Sequence, residues 1–141
     1  MASFPSPSRS TVSIKPFLYS CLILISVTLA GQQTNVSDKL TKALQRSDSE
    51  EMSGLFAPYM MIHIQDFKKV VSAQQAKIHI ADFFKQHPNS GLKLTKSGSE
   101  DKQEYFIWNY TSGDGTWRVY VLLKPGKDQK LIQQIDIEKT P

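Results

Sequence analysis

The sequence predicts an α+β fold in which helices, gathered in the first half, cover one face of a curved antiparallel sheet. Three observations carry that prediction. Apolar residues recur at helical spacing in residues 34–46 and again in residues 72–86. From Leu92 onward the period drops from 3.6 to 2 and stays there, broken only by short clusters of Gly, Pro, Ser and Asp that read as turns. The strands so defined gather Phe, Trp, Tyr, Val and Leu on one face, and a face this apolar has to be covered by the helices. Helices first and a strand meander last enclose a cone with its mouth at one end.

The chain begins with the grammar of a secretory leader. Arg9 and Lys15 precede an uncharged apolar run, residues 17–30, which ends at small residues just before Gly31, Gln32 and Gln33. The run is too short to cross a hydrocarbon core of roughly 30 Å, so cleavage is expected rather than stable membrane insertion. Residues 1–30 are therefore read as a cleavable signal peptide and residues 31–141 as a single α+β domain. The protein is expected to be exported, to a periplasmic or extracellular place. Cys21 lies inside the apolar run, which leaves the mature chain without a thiol, a disulfide, a zinc-thiolate site or a cysteine nucleophile. Removing the leader takes 2 of 17 Lys plus Arg and leaves 15 against 13 Asp plus Glu. That near balance gives no electrostatic footprint for nucleic acid.

Residues 34–46 form the first predicted helix, with Val36, Leu40, Ala43 and Leu44 on one stripe and Asn35 or Ser37 as cap. A short helix follows, capped by Asp48 or Ser49, with Glu50 and Glu51 in its first turn; Pro58 is expected to end it. Residues 59–66 alternate as a strand, Met60, Ile62 and Ile64 against Met61, His63 and Gln65, and residues 67–71 are a connection or a short paired strand. Ser72 and Gln75 make a capping box for a longer helix through Gln86, whose stripe is Ala73, Ala76, Ile80, Phe83, Phe84 and His87. Residues 88–91 stop it.

Four strands follow, separated by turns at residues 97–99, 112–115 and 125–128. The turn at Gly113 and Asp114 sets Thr111 against Thr116, Tyr110 against Trp117 and Trp108 against Val119. Phe106, Trp108, Tyr110, Trp117, Val119, Val121 and Leu123 then share the inner face. Tyr105, Ile107, Asn109, Arg118, Tyr120 and Leu122 share the outer one.

The last hairpin has two readings. A loop of four residues, 125–128, brings Gln134 and Asp136 onto the face of Trp108 and Trp117. A loop of five residues, or a bulge, turns Ile135 and Ile137 inward and sets Asp136 opposite Arg118. Burying an unpaired carboxylate costs several kcal/mol, which favours the second arrangement.

Chemistry-bearing patterns are sparse. His63 near Gln65 and Asp66 could form an acid–base pair, but alternation puts it on the outer side of its strand. His79 and Asp82 share a helix flank, and two ligands do not make a metal site. His87 falls in a last turn, where a cation suits the helix dipole. Asn35-Val36-Ser37 and Asn109-Tyr110-Thr111 match a glycosylation acceptor that is frequent by chance. Phosphate loops, nucleophile elbows and calcium loops are lacking, and no cofactor is implied.

The stretches at 57–64 and 72–84, with Thr116-Trp117-Arg118-Val119-Tyr120-Val121-Leu122-Leu123 and Leu131-Ile132-Gln133-Gln134-Ile135-Asp136-Ile137-Glu138, resemble a family of small exported bacterial proteins, domain of unknown function 4783. The resemblance covers essentially the whole mature chain. It implies a cone-shaped fold similar to nuclear transport factor two and to cystatin-like proteins, and it carries no catalytic residues over. Three function classes follow. The leading expectation is a non-catalytic module that takes a small hydrophobic or amphipathic ligand in the cone, with Trp108, Tyr110, Trp117, Gln134 and Asp136 as ligand-binding candidates. The alternative is a homodimer or scaffold that uses Tyr105, Ile107, Tyr120 and Leu122 as its interface. An acid–base enzyme relying on His63 or Asp136 comes third.

Overall fold

The computed structural model describes residues 35–141; the expected leader, and Thr34 as the expected first residue of the first helix, lie outside the described residues. Helix α1 (Val36–Arg46) begins where the Asn35 side chain accepts the Ser37 amide at 3.2 Å. It ends where Ser47 takes a left-handed φ of 53° and the Ser47 and Asp48 amides turn back onto the Leu44 and Ala43 carbonyls. Helix α2 (Ser49–Ser53) is capped by Asp48, whose carboxylate accepts the Glu51 amide at 3.0 Å. Gly54 closes it, so Pro58 is not its terminator. Pro58 lies inside strand β1 (Phe56–Ile64), in the irregular stretch between Phe56 and Met61, where a missing N–H breaks no ladder bond.

Residues 67–71 resolve as a paired strand. β2 (Phe67–Ser72) runs antiparallel to β1 across a tight turn at Gln65 and Asp66, with Gln65 in the left-handed region at φ 55°. Helix α3 (Ala73–Gln86) has the expected bounds: Ser72 Oγ accepts the Gln75 amide at 3.3 Å, and the His87 amide closes onto the Phe83 carbonyl at 2.9 Å. Its buried stripe is Ala76, Ile80, Phe83 and Phe84.

Strands β3 (Gly91–Glu100), β4 (Gln103–Ser112), β5 (Gly115–Pro125) and β6 (Lys130–Lys139) complete a six-stranded sheet in the order β2-β1-β6-β5-β4-β3. Every neighbouring pair is antiparallel except β1 and β6, which run parallel. The middle hairpin has the predicted register, Thr111 with Thr116, Tyr110 with Trp117 and Trp108 with Val119. Its seven inner-face residues are all buried beneath the helices.

The expected turn at residues 97–99 is not a turn. β3 continues through it, and the chain reverses at Asp101 and Lys102, both left-handed at φ 50° and 66°. Neither is a glycine, which is why a reading based on turn residues passed over them. Gly98 serves a different need, since a Cβ built on it would come 2.5 Å from Cε1 of Tyr105, whose ring lies across it.

The last hairpin closes between Pro125 and Lys130, with the Gly126 amide on the Gln129 carbonyl at 2.9 Å. Ile132 then stands opposite Leu123 while Gln134 stands opposite Leu122, which leaves Gln133 as the extra residue of a β-bulge. The bulge switches the alternation, so Ile132, Ile135 and Ile137 all face inward and are at most 1% exposed. The arrangement with inward isoleucines therefore holds. Its cross-strand partners differ by one pair from expectation: Asp136 faces Tyr120, and Arg118 faces Glu138.

Candidate functional site on the outer sheet face

The five ligand-binding candidates do not converge. Trp108, Tyr110 and Trp117 are inside and at most 1% exposed, and their polar atoms are engaged within the protein. The Trp108 indole N–H donates to Thr41 Oγ1 at 3.0 Å, and that hydroxyl donates in turn to the Ser37 carbonyl at 2.8 Å. Tyr110 donates its hydroxyl to the His87 carbonyl at 2.5 Å, and burial raises its pKa. Trp117 Nε1 reaches Asp114 Oδ1 at 3.4 Å. Phe83 packs on both Tyr110 and Trp117, with ring centroids 5.4 and 5.2 Å away. These aromatics tie helices to sheet. Gln134 and Asp136 lie on the opposite face, because the bulge at Gln133 sends Ile135 and Ile137 inward in their stead.

The outer face carries the other predicted set, Tyr105, Ile107, Tyr120 and Leu122, all half-buried. Register extends it across the whole sheet. One row runs Val70, Met61, Gln134, Leu122, Tyr105, Gly98, and Val70 is 56% exposed. Beside it runs a polar row, Lys68, His63, Asp136, Tyr120, Ile107, Lys96. An apolar belt thus crosses the sheet with charged groups along one flank.

Charge on this face is incompletely paired. Asp136 Oδ2 accepts from Gln134 Nε2 at 2.9 Å, while Asp136 Oδ1 is buried with no hydrogen-bond partner among the described residues. Among the described residues Arg118 forms no ion pair; its guanidinium carbon lies 5.9 Å from the centre of the Tyr120 ring. Tyr120 stacks on Tyr105 at 6.2 Å between centroids. Burial raises the pKa of the Tyr120 hydroxyl, the Asp136 carboxylate raises it further, and Arg118 opposes the rise.

The three histidines part company. His63 stands on the outer face, as alternation requires, with Nδ1 3.4 Å from Glu138 Oε1; its neighbours across the sheet are Asp136 and Lys68 rather than Gln65 and Asp66. His79 stacks on Phe67 at 4.4 Å. His87 does close α3, and it also sits between Phe83 and Trp117 with Nδ1 2.9 Å from Asp114 Oδ2. Among the described residues no three His, Cys, Asp or Glu side chains come together to hold a metal ion, and no helix is long and apolar enough to cross a membrane.

Helices followed by a curved, open six-stranded sheet define an α+β protein of the nuclear-transport-factor-two-like and cystatin-like class. Solved structures agree. The designed protein Rd1NTF2_04 with long sheet shares the fold at TM-score 0.58 and 13% identity, over 72% of this chain and 95% of that one. An uncharacterised bacterial protein with a cystatin-like fold from Silicibacter pomeroyi DSS-3 does so at TM-score 0.58 and 11% identity, over 80% and 78%. A third structure is nearer in sequence: a DUF4783 family protein from Bacteroides ovatus ATCC 8483, 27% identical, TM-score 0.71, covering 79% of this chain and 99% of that one. The model of the domain of unknown function DUF4783 matches residues 37–138, and this chain belongs to that family. No curated protein matches it.

Proposed function

We propose that the protein is an exported, non-catalytic interaction module that works as a homodimer, assembled through the outer face of its sheet. The observation that carries this reading is an apolar belt crossing an open sheet face, flanked by Arg118, whose guanidinium has no carboxylate partner among the described residues. Two-fold docking turns the same patch of both subunits toward each other, so one belt covers the other. The belt of Val70, Met61, Leu122 and Tyr105 supplies the apolar burial, and the Tyr and Arg side chains are those that dominate interface cores. Export rests on the leader-like residues 1–30.

Sedimentation equilibrium tests the reading directly. A dimer is expected, and Leu122→Lys or Val70→Lys should yield monomers with an unchanged circular dichroism spectrum. A protein that stays monomeric at its highest soluble concentration would sink the proposal.

A further inference from the structure

On the opposite side of the sheet, we infer that the depression between the β1–β2 turn and the second half of α3 is a binding site for a neutral polyhydroxylated ligand, a saccharide ring. Its volume is about 190 Å³, which suits something smaller than the drug-sized molecules that fill cavities of roughly 300–1,000 Å³. Phe67 and Phe83 supply apolar surface, and Gln65, His79, Asp82, Gln86 and His87 supply the polar groups.

The donor set selects the chemistry. A glutamine amide offers a donor and an acceptor, and a hydroxyl is also both, so Gln65 and Gln86 match hydroxyl groups in either sense, while His79 and His87, the latter with Nδ1 held against Asp114, add ring nitrogens. Asp82 adds an acceptor for two adjacent hydroxyls. No Lys or Arg lines the depression, and His87 already faces the Asp114 carboxylate, so an anion finds no free counter-charge there. Asp82 is its one carboxylate and is exposed, a weak hold for a cation, and no metal-binding group forms among the described residues. Phe67, 38% exposed and stacked on His79, offers a flat apolar surface to the C–H groups of a sugar ring.

Two features hold the site ready before any ligand arrives. His87 is fixed between Phe83 and Trp117, with Asp114 behind it. Gln65 holds a left-handed backbone while its amide donates to the Ile137 carbonyl at 3.1 Å, the kind of local strain that gathers at functional sites. A second depression of about 230 Å³ shares Phe67 and His79 and continues toward Gln75 and Ile78, which gives a linked sugar somewhere to extend.

Amide chemical shifts of the ¹⁵N-labelled protein, followed during titration with methyl glucoside, methyl mannoside and cellobiose, test this, with choline and acetate as charged probes. At least one neutral saccharide should move resonances of residues 64–67 and 79–87 in a saturable way. Asp82→Ala and Gln86→Ala replace exposed side chains, so the spectrum stays that of the folded protein, and each should weaken the response by about tenfold, the effect of losing one good hydrogen bond. Lys124→Ala, exposed near the far end of β5, should not. The site is refuted if no saccharide shifts those residues, if only choline or acetate does, or if Asp82→Ala binds as the parent does.

Discussion

The ring of Tyr105 lies across Gly98, so close that a Cβ on that residue would stand 2.5 Å from Tyr105 Cε1. The glycine is a seat for the tyrosine, and it lets the ring lie down on an outer strand and stack against Tyr120. Gly98→Ala should therefore lift the ring and cost about 1–3 kcal/mol through overpacking, which outweighs the gain from a stiffer chain. In a Tyr105→Ala background the same change should be neutral or stabilising. A denaturation cycle over the four proteins measures this coupling, and equal costs in both backgrounds would show that the contact is unimportant.

Trp108 and Thr41 join β4 to α1 through one partly buried hydrogen bond at 3.0 Å. Replacing Thr41 by Val keeps the shape but leaves the indole N–H without an acceptor, at a cost of about 1–3 kcal/mol. Thr41→Ser keeps the hydroxyl and should lose much less. Urea midpoints at constant m-value separate the two outcomes.

The bulge at Gln133 makes an asymmetric prediction. Deleting one glutamine of the Gln133–Gln134 pair removes the residue that has no cross-strand partner, and Ile132, Ile135 and Ile137 keep their inward places. The shortened protein should fold with a native-like tryptophan spectrum. Inserting one alanine after Gln134 turns Asp136 toward the core if the bulge stays, puts Gln134 there if the strand straightens, or forces a larger bulge, at a cost of about 1–3 kcal/mol or more. Near-ultraviolet circular dichroism distinguishes them: an insertion that folds as well as the deletion contradicts the register.

Asp114 sets an acid limb. Local desolvation, the largest single influence on its carboxyl, acts upward, but the contacts with His87 and Trp117 and the charge of His87 together hold the pKa below its ordinary 3.8. A carboxyl depressed by folding contributes stability that is complete above the unfolded value and is lost as pH falls through the lower folded value. Melting temperatures should thus fall below about pH 4 more steeply in the parent than in Asp114→Asn, where this contribution is already gone. Parallel acid limbs in the two proteins would assign the loss to other carboxylates.

Much of this molecule was legible in the chain because it depends on near neighbours. Asn35, Asp48 and Ser72 cap their helices with atoms two or three residues away. The hairpin through Gly113 and Asp114 fixes nine cross-strand pairs by parity alone. The candidate surface was half legible: Tyr105, Ile107, Tyr120 and Leu122 follow from alternation, whereas Val70 and Met61 joined them only through the order of strands. The turn at Asp101 and Lys102 escaped because Ser97-Gly98-Ser99 just before it carries the stronger turn signal and a lysine seldom takes left-handed backbone.

Residue order by itself determined the periodicities, the caps and the two faces of the meander, since each is set by short-range geometry. It did not determine that β1 lies parallel beside β6, nor that a bulge at Gln133 reconciles Ile132 with Ile135 and Ile137; both are choices among distant pairings, made by the apolar area they bury together. Nor could it tell that Trp108 and Tyr110 spend their polar atoms on Thr41 and His87. Those bonds span up to 67 residues of chain, and only packing of helices on the sheet brings their partners together.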